Sequence, residues 1–124
     1  MDEIIKGSLS GIKVLDFSTL LPGPLASLFL AETGAEVIKI ERPEVGDEIR
    51  TSYPKWGGQS ASFSMLNRGK KSLALDLKDP DSFNILKPLI KKVDIIIEQF
   101  RPGVMKRLGL DYETLSKINK KLIY

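Results

Sequence analysis

The sequence predicts an α/β fold, a parallel sheet with helices on its faces. Short runs rich in Val, Ile and Leu recur along the chain, and segments with helical spacing separate them. Gly or Pro marks the junctions. Strand, helix and strand repeated in this order favour right-handed crossovers and parallel pairing.

Each element follows from local pattern. Residues 12–17 (IKVLDF) read as the first strand, broken by Pro22-Gly23-Pro24. A helix over about 24–33 carries Leu25, Leu28 and Phe29 at helical spacing, with Gly34 as its stop. Residues 36–41 (EVIKIE) are the second strand, apolar enough to be mostly buried. The stretch 42–60, dense in Gly, Pro and charge, is read as a long loop of the kind that usually carries function or moves. A short helix over 62–66 precedes a third strand at 72–77. Asp79 and Pro80 are expected as N-cap and first residue of a helix running to about 92, kinked or divided at Pro88. Residues 94–98 are the fourth strand. Residues 103–108 form a short helix, and Asp111 caps another that ends near Asn119. Residues 121–124 begin a fifth strand, and its interruption at Tyr124 suggests a fragment or a truncated product.

Composition narrows the chemistry. The 124 residues allow one domain, and 42% hydrophobic with 28% charged residues argues against disorder. Nineteen basic against sixteen acidic residues give a mild +3, with no aromatic-interleaved basic stripe, so nucleic-acid binding is not expected. No apolar run is long enough to span a bilayer, and Met1-Asp2-Glu3 is no signal peptide. A soluble, cytoplasmic protein is predicted. With no Cys and no His, thiolate nucleophiles, sulfur ligands, the commonest general base and the commonest metal ligand are missing, and no metal is expected.

Ligands of such sheets sit beyond the carboxyl ends of the strands, so four connections are candidate sites. Residues 18–24 turn from strand to helix with one glycine where a dinucleotide fingerprint needs three. In Glu41-Arg42-Pro43 the arginine suits a phosphate or a purine face, with a plain surface arginine as the alternative. Arg68, Lys70 and Lys71 around Gly69 suit phosphate or are simply solvated. Phe100 and Arg101, before Pro102-Gly103, offer one flat apolar face and one cation.

Together these segments resemble the family III CoA-transferases (CaiB/BaiF), which include formyl-CoA transferase and α-methylacyl-CoA racemase. The likeness runs through LSGIKVLD at 9–16, GP at 23–24, GAEVIKIERP at 34–43 and NRGKKSLALDLK at 67–78. It continues in FRPGVM at 100–105 and LGL at 108–110, with Asn119 and Leu122-Ile123-Tyr124 in the expected places.

The resemblance implies that residues 1–124 are a Rossmann-like, CoA-binding N-terminal region of an interlocked-dimer fold, with the catalytic region beyond residue 124. By it, Leu21 and Pro22 lie near the pantetheine or thioester end of an acyl-CoA and Arg42 meets the adenosine part. Leu75, Lys78, Gln99, Phe100, Arg101 and Arg107 line the rest. The family's catalytic aspartate, or the histidine and aspartate of its racemases, lie downstream. None of Asp16, Asp47, Asp76 or Asp94 matches them. No catalytic residue is therefore assigned, and whether the chain is itself an enzyme stays open. Leu21-Pro22 stands where formyl-CoA transferases carry glutamine and alanine, and Gln99 where many members carry asparagine, which leans towards the racemase branch. The alternatives are a stand-alone CoA- or nucleotide-binding module and a fragment without activity.

Overall fold

A computed structural model describes residues 6–124; the acidic opening Met1-Asp2-Glu3 lies outside them. Four strands form one parallel sheet: β1 (Lys13–Asp16), β2 (Glu36–Glu41), β5 (Lys71–Ala74) and β6 (Ile95–Ile97). Their order is β5-β2-β1-β6. Counted along the chain this is 3-2-1-4, the opening half of the doubly wound order, with its topological switch between β1 and β6. Ile123 adds a single parallel bridge to Ile95, so the expected fifth strand is one residue pair wide among the described residues.

Strand periodicity sorts the side chains into two faces. Leu15, Phe17, Ile40 and Ile96 point into the main core with Leu86 and Ile90 of α3 (Ser82–Ile90), Met105 of α4 (Val104–Arg107) and Leu115 of α5 (Tyr112–Leu115). Val14 and Val37 point the other way, against Leu30 and Ala31 of α1 (Pro22–Glu32). On that second face the alternation continues into charge, since Asp16, Lys39 and Glu41 are all buried. No helix among the described residues is long and apolar enough to cross a membrane.

Several boundaries differ from expectation, each for a local reason. Helix α1 starts at Pro22, because proline needs no amide partner in a first turn. Helix α3 starts at Ser82, not at Pro80. Asp79 Oδ1 accepts the Asp81 amide at 2.9 Å, so Asp79 closes a turn of its own instead of capping the helix. Pro88 leaves α3 undivided. It faces solvent, while Leu86 and Ile90 on either side of it anchor the helix in the core. Helix α5 ends at Leu115, and Asn119 instead donates to the carbonyls of Ile90 and Val93 at 2.9 and 2.7 Å, tying down the end of α3. The stretch 42–60 is not one loop. It holds a 3-10 turn over Glu48–Thr51 and a small antiparallel hairpin, β3 (Lys55–Trp56) with β4 (Gln59–Ser60), that leads into α2 (Ala61–Asn67).

Candidate functional site

A cavity of about 300 Å³ opens where β1, β2 and β5 end. Phe17, Ile40, Leu75 and Phe100 give it an apolar body, and Arg42 and Lys78 place two cations on its rim. Each arrives by a different route. Phe17 and Ile40 are core residues at strand ends, Arg42 is the first residue past β2, and Phe100 follows β6. Arg42 is exposed and only loosely engaged, 3.5 Å from Glu48. An adjoining cavity of about 190 Å³ shares Leu77, Lys78 and Leu108 and adds Arg107. The arrangement joins a flat apolar chamber to three cations, which suits a nucleotide with its phosphates at the rim.

The structure thus gathers Arg42, Leu75, Lys78 and Phe100 around one cavity, with Arg107 next to it. It does not bring the other candidates there. Arg101 lines a separate cavity of about 330 Å³ with Glu98, Asp111 and Tyr124. Leu21, 56% exposed, and Pro22 stand at the start of α1 and line neither rim. Gln99 is engaged within the chain: its Nε2 donates to Thr19 O at 2.6 Å and its Oε1 accepts from Gly23 N–H at 3.0 Å. Gly23 is required here, because a Cβ would come within 2.5 Å of that Gln99 oxygen and 2.1 Å of Ser18 Cβ.

A buried polar network that sequence reasoning missed adjoins the cavity, and two of its members, Glu41 and Asp47, are part of the cavity lining. Asp16 accepts from the Ser18 amide at 2.8 Å and from the Ser18 and Ser27 hydroxyls, with Lys70 Nζ 3.5 Å away. Lys39 Nζ pairs with Asp47 Oδ2 at 2.8 Å and donates to Ser18 O at 2.8 Å. Asp47 Oδ1 also accepts the amides of Ile49 at 3.0 Å and Leu20 at 3.1 Å. Glu41 receives both Nε and Nη2 of Arg50 at 2.7 Å, together with Asp47 N–H and Ser72 Oγ at 2.8 Å. Burial pushes Glu41 up, but these donors outweigh it and hold its carboxyl at about 2. Burial pushes the Lys70 ammonium down to about 8, opposed by Asp16.

In the basic cluster after α2, Arg68 and Lys71 are exposed, as a solvated run would be, and only Lys70 departs from that reading. Arg68 pairs with Glu32, Lys71 pairs with Glu36 at 3.1 Å, and Lys70 is buried, donating to Pro24 O and Asn67 Oδ1 at 2.8 and 3.0 Å. One signal for the network was present in the sequence: Lys39 interrupts an otherwise apolar strand, and a charge inside a strand buried on both faces demands a partner. Which partner it takes is not written locally. Among the described residues, no group of three or more His, Cys, Asp or Glu is arranged to hold a metal ion.

Comparison with known proteins places this geometry. Residues 9–124 match CoA-transferase family III. The chain is 48% identical over 119 residues to an acetyl-CoA:oxalate CoA-transferase of Acetobacter aceti, covering 96% of this chain and 31% of that protein. It is 42% identical over 117 residues to the human succinyl-CoA:glutarate CoA-transferase, covering 94% of this chain and 27% of the relative. A solved CaiB/BaiF family protein from Brucella suis superposes with a TM-score of 0.88 at 38% identity, covering 96% of this chain and 32% of that one. The chain therefore spans about a third of the length of these proteins. With the family matched from residue 9 to residue 124 and the sheet superposing on a solved member, this chain belongs to CoA-transferase family III.

Proposed function

We propose that this segment is the CoA-binding part of an acyl-CoA:carboxylate CoA-transferase, a soluble cytoplasmic enzyme that pairs as a homodimer. The observation that carries the reading is the convergence of Arg42, Leu75, Lys78 and Phe100, distant in sequence, on one apolar cavity at the carboxyl end of the sheet. In this reading Phe100 and Leu75 cover the adenine, and Arg42, Lys78 and Arg107 meet the 3′-phosphate and diphosphate. Arg101 enters where the ligand passes over the Phe100 ring. Leu21 and Pro22 face the pantetheine end.

Transfer is favoured over racemisation. The relatives at 48% and 42% identity are named as CoA-transferases acting with oxalate and glutarate. The racemase lean rested partly on Gln99, whose side chain is engaged with Thr19 and Gly23, so its identity reports loop packing more than reaction type. Acyl transfer itself is assigned to groups outside residues 9–124, because the family resemblance implies a nucleophilic aspartate downstream of the matched region.

Calorimetric titration of the 124-residue chain with CoA and dephospho-CoA tests the binding. Arg42→Ala and Lys78→Ala are each expected to weaken CoA by about 1–3 kcal/mol. The variant whose loss vanishes with dephospho-CoA identifies the cation at the 3′-phosphate. A folded chain that takes up neither ligand would remove the reading.

A further inference from the structure

The connection between β1 and α1 is irregular, yet side chains from three distant places hold four backbone groups over residues 18–23, which run from it into the first turn of α1. Ser18 O accepts from Lys39 Nζ at 2.8 Å, and Leu20 N–H donates to Asp47 Oδ1 at 3.1 Å. Thr19 O and Gly23 N–H are both taken by Gln99, at 2.6 and 3.0 Å. The Lys39–Asp47 pair behind them is closed to solvent, with the two side chains 1% and 0% exposed.

Leu20 shows what these ties do. Its φ is +64°, a left-handed conformation that is unfavourable for a residue with a Cβ. Such a conformation persists only where the surroundings over-determine it. Here its amide is bound by Asp47, and both neighbouring carbonyls, Ser18 O and Thr19 O, are bound by Lys39 and Gln99. An ordinary strand-to-helix turn needs none of this. The connection also borders the cavity, since Thr19 is part of its lining. Along the sheet, Lys78 follows β5 and Thr19 follows β1, with β2 between them. In the reading above, a CoA whose phosphates meet Arg42 and Lys78 has the Thr19 side of the cavity for its arm, next to the exposed apolar side chains of Leu20 and Leu21.

We propose that the Lys39–Asp47 pair and Gln99 are positioning residues that hold residues 18–23 as a rigid, preformed wall for the pantetheine arm of CoA. The proposal rests on the CoA-binding reading above. Lys39 and Gln99 lie outside the cavity lining, and Asp47, which is part of it, acts here through its bonds to Lys39 and the Leu20 amide. Their effect is to remove the ordering cost that a loose connection would add to binding.

The test combines amide hydrogen exchange with titration of the 124-residue chain by CoA, acetyl-CoA and adenosine 3′,5′-bisphosphate, which lacks the arm. Gln99→Leu removes an exposed side chain and leaves the core untouched. It is expected to speed exchange at Gly23 and to weaken CoA and acetyl-CoA by about three- to tenfold, the worth of one positioning hydrogen bond. Affinity for the bisphosphate should be unchanged. Asp47→Asn, used only where thermal melting shows a folded chain, should do the same with faster exchange at Leu20. Equal losses for CoA and the bisphosphate would point to general loosening and overturn the proposal, as would unchanged CoA affinity in a folded Gln99→Leu. If the unaltered chain binds the bisphosphate and CoA equally well, the arm has no wall and the proposal falls while the binding reading stands. If it binds neither, the binding reading falls and takes the proposal with it.

Discussion

Glu41 sits 5% exposed at the end of β2, and four donors answer its carboxylate: two from Arg50, the Asp47 amide and the Ser72 hydroxyl. The Arg50 guanidinium is fixed in turn by the Phe63 ring, 3.7 Å below it. Because the folded carboxyl is held at about 2, against 4.5 in its ordinary state, the folded protein binds fewer protons than the unfolded chain between those values. Glu41 therefore contributes stability that is complete above about pH 4.5 and is lost as the pH falls towards 2. Glu41→Gln is expected to be less stable than the unaltered chain at pH 7, with the gap narrowing across that interval. Paired melting curves from pH 7 downwards check this, and a gap independent of pH would show that Glu41 does not titrate as described.

Among the elements, α3 conflicts most with its local signals. Nine residues long, it carries Pro88 near its end, where the Asn84 carbonyl loses its donor. Nothing buried depends on that bond, since Asn84 and Pro88 both face solvent. Pro88→Ala restores the amide and is expected to stabilise the chain by about 2 kcal/mol, the helix-propensity gain less the freedom returned to the unfolded chain. Urea titration should show a higher midpoint at unchanged slope. A lower midpoint would mean that proline's fixed φ helps to end the helix before Lys91. Sequence-level reading did well for β2, where six residues agree in both bounds, because Val37, Ile38 and Ile40 make a dense β-branched run bounded by Gly34 and Pro43. It did poorly in 42–60, where β3 and β4 are two residues each, too short for any period to register.

Over the whole molecule, apolar surface is unevenly covered. Helix α1 is apolar nearly all round, yet Phe29 is 58% exposed on it and Met65 of α2 is 65% exposed, while Trp56 on the β3–β4 hairpin is 86% exposed. A helix with that composition normally lies between two covering layers, and here the sheet and α2 cover it only in part, leaving Phe29 in water. The 124-residue chain is expected to self-associate, with a sedimentation coefficient that rises with concentration. Phe29→Lys should reduce that rise. A chain that sediments as one species at every concentration would show these residues to be tolerated in water.

The sequence by itself determined the α/β class and the identity of the four sheet strands through its periodicity, and the family resemblance through its motifs. Hydrophobic period and turn residues are local quantities, and the family's motifs lie in contiguous runs such as 34–43 and 67–78. The rule that ligands sit at strand ends singled out Arg42 and Phe100, while Leu75 and Lys78 were named only through the family resemblance; the structure sets all four around one cavity. Only the tertiary structure decided what became of the charges. Lys70 left the surface to face Asp16, Lys39 found Asp47, and Gln99 turned from a ligand candidate into a clasp on an amide 76 residues away. A buried charge is tolerable only beside its partner, and the partner is chosen by how the strands stack in space.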